Sequence, residues 1–119
     1  MPKLRVYHYP QCSTCKKAIK WLAAHAVPVD LVHIVEHPPS KAELREALKG
    51  AGIPIKKLFN TSGASYRDGG FGERLKTMTE AEAIDALAKD GKLIKRPVVL
   101  GKGVALVGFD EQAYAQKIG

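Results

Sequence analysis

Cys12 and Cys15, the only two cysteines in the chain, stand three residues apart, and their flanks decide what that spacing means. Upstream, Leu4-Arg5-Val6-Tyr7-His8 reads as a short strand. Downstream, Ala18, Ile19, Leu22, Ala23 and Ala26 recur at helical spacing, with Lys16, Lys17 and Lys20 on the polar side. The C-x-x-C pair therefore lies on a turn from strand to helix, with Cys12 just before or within the first helical turn. Free backbone N–H groups and the positive end of the helix dipole favour an anion at such a place. The anion available is a thiolate.

Three neighbouring features push the same way. Lys16, Lys17 and His8 add positive charge, and the hydroxyls of Ser13 and Thr14 are placed to donate to a sulfur. Reactive cysteines in such surroundings have pKa values lowered from about 8.5 to roughly 3.5–7.5. Cys12 is thus expected to be the attacking sulfur. Cys15, one turn into the helix on the face of Ile19 and Leu22, is expected to be less exposed and to resolve a mixed disulfide formed at Cys12. A structural zinc site needs about four ligands, and the sequence has no second C-x-x-C, so no metal is expected. After a strand and before an amphipathic helix, the pair reads as a thioredoxin-like redox motif.

At 119 residues the chain is expected to form one domain, residues 1–119, with a core large enough to need no disulfide staples. No stretch approaches the roughly 18 apolar residues of a membrane span and no signal-peptide run opens the chain, so the expected location is the cytoplasm. There, paired cysteines are more often catalytic than structural. The formal charge of +7 raises the question of nucleic acid. Its basic residues are scattered in pairs (Lys16/Lys17, Lys56/Lys57, Lys95/Arg96) without a long run or an aromatic-basic stacking pattern, so no direct nucleic-acid contact is expected. Attraction of anionic small molecules such as glutathione or oxyanions suits the charge better.

Along the chain, Asp30–Val35 reads as a second strand, and strand, helix, strand make a βαβ unit with parallel strands. His33 on that strand reads as a satisfied structural histidine. Ser40-x-x-Glu43 and Thr79-x-x-Glu82 are capping boxes that open helices, the first closed by Gly50 and Gly52 and the second ending at Gly91. Between them, Lys57-Leu58-Phe59 suggests a helical turn and Tyr66–Phe71 an irregular segment. Leu93–Pro97 brings the chain back, Val98–Leu100 and Val104–Val107 form a hairpin across Gly101-Lys102-Gly103, and Asp110 caps a last helix. The order is β-α-β, a helical insertion at about residues 40–91, then β-β-α: an α/β thioredoxin-like fold with a mixed sheet.

With these segments in place, the sequence resembles the small arsenate-reductase-like (ArsC/Spx) proteins of the thioredoxin superfamily over nearly its whole length. The resemblance rests on Tyr7-His8-Tyr9-Pro10-x-Cys12-x-x-Cys15-Lys16-Lys17-Ala18, on Pro38-Pro39-Ser40 with Glu43-Leu44, on Phe59-Asn60-Thr61-Ser62-Gly63 with Tyr66-Arg67, and on Ile94-Lys95-Arg96-Pro97-Val98 with Val107-Gly108-Phe109. It implies that Cys12 is the nucleophile, that His8 influences its ionisation, that Arg96 binds an anion, and that Pro97 is a cis proline facing the cysteine. Departures are equally informative. Arsenate reductases of this kind surround the cysteine with three arginines, whereas Asn60 stands where one would be and another falls near Gly108-Phe109. They also typically lack the second cysteine and use glutathione and a glutaredoxin. The expected function is thiol-disulfide exchange with a disulfide or a glutathione mixed disulfide, with no bound cofactor and glutathione or thioredoxin as the linked reductant. The alternatives the resemblance implies are a redox-sensing transcription regulator that contacts RNA polymerase, as in the Spx group, or an arsenate reductase in which Lys16, Lys57 or Arg67 completes the oxyanion pocket.

Overall fold

Alternation along strand β1 (Leu4–His8) sends Leu4 and Val6 to one side and Tyr7 to the other, so both faces of the strand need a cover. The computed structural model describes residues 3–101 and 103–118 and supplies a cover on each side. Four strands lie in the order β2-β1-β3-β4, with β2 (Val29–His33), β3 (Val98–Gly101) and β4 (Val104–Val107). β1 runs parallel to β2, matching Val6 with Leu31, and antiparallel to β3, matching Val6 with Val99. β3 and β4 are the hairpin, with Val99 opposite Leu106.

One sheet face, formed by Leu4, Val6, Val99 and Leu106, packs against Ala18, Trp21 and Leu22 of helix α1 (Ser13–Ala24) and Tyr114 of helix α6 (Glu111–Lys117). The other face, with Tyr7, Val98, Leu100 and Ala105, packs under α2 (Lys41–Ala51) and α5 (Glu80–Lys89) through Leu44, Ala47, Ile84 and Leu87. The result is the helix–sheet–helix layering of a thioredoxin-like α/β domain. Both capping boxes form: Ser40 with Glu43 opens α2 and Thr79 with Glu82 opens α5. Asp110 caps α6 by accepting from the Gln112 N–H at 3.0 Å. His33 Nδ1 accepts from the N–H groups of Val35 and Glu36, both at 3.2 Å, which satisfies it locally.

Several expectations are corrected. The buried stripe of α1 is Cys15, Ala18, Trp21 and Leu22, whereas Ala23 is exposed and Ala26 lies beyond the helix with φ 55°. Trp21 wins the inward position because it alone is large enough to bridge to Tyr114, at 5.6 Å between ring centroids. Strand β2 starts and ends earlier than the apolar run suggests, because His33 turns the backbone by taking two N–H groups that a longer ladder would use. Tyr66–Phe71 is not irregular: two short helices, α3 (Ala64–Asp68) and α4 (Phe71–Arg74), meet at Gly69-Gly70, and Gly70 takes φ 67°. The return of the chain before β3 is made by a 3-10 turn, Gly91–Leu93, and by Ile94, which makes a single bridge to Phe59. Gly50 does not end α2, which is closed by Gly52 at φ 64°. It lets α2 touch the sheet, since a Cβ there would stand 2.5 Å from that of Ala105.

Candidate active site

Cys12 is the N-cap of α1, with extended backbone angles (φ −89°, ψ 116°) that end the loop and release the helix. Its carbonyl accepts the first helical bond, from the Lys16 N–H at 3.1 Å, and its sulfur accepts the Cys15 N–H at 3.3 Å. A sulfur thus does the capping that an oxygen usually does. Cys12 is half-buried and Cys15 is fully buried, and both are free thiols.

The two thiols are shifted in opposite directions. Burial alone raises the Cys12 thiol, but hydrogen bonds from the Cys15 thiol and the Cys15 N–H, and then the guanidinium of Arg96, outweigh it and hold the group below the ordinary thiol range. Cys15 is pushed far up, first by burial and then by the hydrogen bond and negative charge it shares with Cys12. The shifts favour the thiolate at Cys12 and the protonated thiol at Cys15.

Arg96 reaches the site from the segment between the helical insertion and β3, and the Arg96–Pro97 peptide is cis. Its guanidinium carbon sits 4.8 Å from the centre of the Tyr9 ring, a cation–π contact that fixes the plane of the fork. Its Nη1 is buried and has no hydrogen-bond partner. An unpaired guanidinium N–H beside a half-buried sulfur is a donor set for an anion. Cys12 and Arg96 share a cleft of about 470 Å³ whose walls also include Thr14, Asn60, Lys95, Gly108 and Phe109.

The sequence-predicted residues separate into those the fold gathers and those it does not. Cys12, Cys15 and Arg96 converge, and Thr14 lines the cleft. Ser13 is exposed, and among the described residues neither Ser13 nor Thr14 has a hydroxyl bonded to the sulfur, which is served by the Cys15 N–H instead. Pro97 is buried behind Arg96, and its carbonyl accepts the Gly108 N–H at 2.8 Å, which anchors the far wall of the cleft. His8 does not line the cleft; it faces His33 at 6.4 Å, and burial followed by the charge of His33 lowers its pKa. The positive charge acting on Cys12 therefore comes from Arg96, not from His8, and Lys16 and Lys17 project into solvent. Lys57 and Arg67 also stand outside the cleft, and Arg67 instead donates to the Ser62 carbonyl at 3.3 Å. Tyr9 and Lys95 were not foreseen. Their adjacency in sequence to the motif and to Arg96 is the signal that marks them.

Comparison with known proteins identifies relatives of the whole chain. The chain is 44% identical over 113 residues to the uncharacterised protein YusI of Bacillus subtilis, covering 95% of this chain and 96% of that one. The crystal structure of a putative ArsC family related protein from Bacteroides fragilis superimposes with a TM-score of 0.92 at 41% identity, covering 97% of each chain. More distant relatives carry two kinds of name. An arsenate reductase of Rhizobium meliloti is 26% identical over 95 residues (80% of this chain, 66% of the other). The global transcriptional regulator Spx 2 of Lactococcus lactis is 22% identical over 109 residues (92% and 81%). The family model for ArsC matches residues 7–117, and the chain, with its two-cysteine turn facing an arginine, belongs to the ArsC family.

Proposed function

We propose that the protein is a thiol-disulfide oxidoreductase in which Cys12 attacks and Cys15 resolves. The observation that carries this reading is the placement of Cys12 as the N-cap of α1, its sulfur accepting the Cys15 N–H at 3.3 Å, with the two thiols shifted in opposite directions. The Cys12 thiolate attacks one sulfur of a substrate disulfide, forming a mixed disulfide and releasing the other substrate sulfur as a thiolate that takes a proton from water. The negative charge on Cys12 disappears in that step. With it goes one of the influences that hold Cys15 protonated, while Arg96 continues to favour its thiolate. Cys15 then gives up its proton and attacks Cys12, which expels the second substrate thiolate and leaves a Cys12–Cys15 disulfide. The substrate gains two electrons from the protein and two protons, one from water and one from Cys15. A thiol or dithiol reductant such as glutathione or thioredoxin reverses the change.

Burial and charge together set the order of events, because Cys15 is inaccessible and protonated until Cys12 has reacted. Arg96 supports both steps, since its unpaired Nη1 offers a donor to the leaving sulfur. The test is stoichiometric reduction of 2-hydroxyethyl disulfide. The reduced protein is expected to consume one equivalent and lose two hydrogens by mass, with Cys12→Ser inactive and Cys15→Ala arrested as a mixed disulfide. Turnover by Cys12→Ser, or a free Cys15 after exhaustive reaction, overturns the assignment.

A further inference from the structure

The cleft at Cys12 continues past Lys95. Lys95 and Val107 line it and also line a neighbouring hollow of about 520 Å³, whose other walls include Ile53, Lys56, Lys57 and Phe59. Shared walls make the two a single groove. The turn Ile55–Leu58 buries Leu58 and leaves Lys56 and Lys57 in solvent along the rim. Lys95 lies at the junction, against Gly108 (φ 79°), where a Cβ would come within 3.1 Å of its side chain. No acidic residue lines the hollow, Asp110 being confined to the cleft at Cys12, and among the described residues none of these three lysines forms an ion pair.

We infer that this groove binds an acidic segment of a protein substrate, seating an apolar side chain against Ile53, Phe59 and Val107 and setting carboxylates beside Lys56 and Lys57, with the target disulfide over Cys12. The inference rests on the exchange reading above and adds its substrate class. The pairing of features decides the occupant. An apolar floor under a rim of unpaired cations complements a chain that alternates carboxylates with an apolar side chain. Glutathione supplies carboxylates but no apolar side chain, and would leave that floor uncovered. Exposed lysines each hold little binding energy, yet a one-signed rim raises the rate of encounter with an oppositely charged partner.

Peptides sharing one disulfide and differing only in its flanks test this. At low salt, a peptide with Glu and Leu flanks is expected to be reduced about tenfold faster than one with Lys and Leu flanks, and the gap is expected to narrow as salt rises. Lys56→Glu combined with Lys57→Glu is expected to abolish the preference while 2-hydroxyethyl disulfide is reduced at the original rate. Equal rates for both peptides, or a preference that survives the double charge reversal, overturns the inference. So does a larger loss for oxidised glutathione than for the Glu/Leu peptide. Fluorescence anisotropy of the labelled peptides with Cys12→Ser reads docking without chemistry. If 2-hydroxyethyl disulfide proves inert, the exchange reading falls and anisotropy alone still decides the groove.

Discussion

Three donors lower the Cys12 thiol, two from Cys15 and one from Arg96, and the two side-chain donors can be removed singly. Cys15→Ala removes a thiol donor and keeps the backbone N–H, whereas Arg96→Ala removes the only guanidinium in the cleft. Because the folded thiol titrates below its ordinary range, alkylation of Cys12 is expected to reach its plateau at lower pH than a free cysteine does. Either substitution is expected to move the inflection to higher pH, as followed by iodoacetamide rates against pH; an unmoved inflection in both would remove the electrostatic account. The same arginine count bears on oxyanions. Arsenate needs several positioned donors before a thiolate can approach it, and Arg96 stands opposite Asn60, Gly108 and Phe109. Loss of one preorganised donor costs about 10²–10³ in rate in a serine protease. Arsenate turnover with glutathione and glutaredoxin is therefore expected to be marginal, and turnover equal to that of a three-arginine enzyme would reverse the reading. Cys12 was legible because its environment is local, a strand, a cap and a helix in one short stretch. Lys95 and Phe109 joined it only through the strand pairing that folds the C-terminal third onto β1, which no local pattern encodes.

Helices and turns are placed here by contacts too close for a side chain. A Cβ at Gly91 would lie 2.0 Å from the Ile34 carbonyl oxygen, so Gly91→Ala has to push apart the end of α5 and the segment after β2. Its expected cost is about 3 kcal/mol, measurable by urea denaturation. Gly50→Ala meets only the Ala105 Cβ. Its overpacking of about 1–3 kcal/mol is offset by the gain of roughly 1 kcal/mol from replacing a helical glycine. Adding Ala105→Gly is expected to restore stability beyond the sum of the single changes, which a double-mutant cycle would show. Ser40→Ala opens the α2 capping box and is expected to cost about 1 kcal/mol. The boxes were readable because a hydroxyl and a carboxyl three residues apart carry their own geometry. The helices α3 and α4 were not: at five and four residues they are too short to be stable alone and are held by Tyr66 and Phe71 packing on Phe59.

Across the whole molecule, the sheet separates two apolar layers, and the thiol centre belongs to the thinner one. Helix α1 carries Cys15 and, two turns on, the chain's single tryptophan, Trp21, which meets Tyr114 edge-on; the Tyr114 hydroxyl donates to the Gly108 carbonyl at 2.7 Å, and Gly108 is a wall of the cleft. Burial of Tyr114 raises its pKa and keeps the hydroxyl a donor. Oxidation joins two residues of one helical turn, so far-ultraviolet circular dichroism is expected to stay constant while mass falls by two hydrogens. The indole lies about 9 Å along the helix from the new disulfide, at 1.5 Å per residue, and disulfides are efficient quenchers of excited indoles. Since the chain has no other tryptophan, its intrinsic emission is expected to follow the oxidation state in real time, an optical gauge that needs neither a dye nor a coupled enzyme.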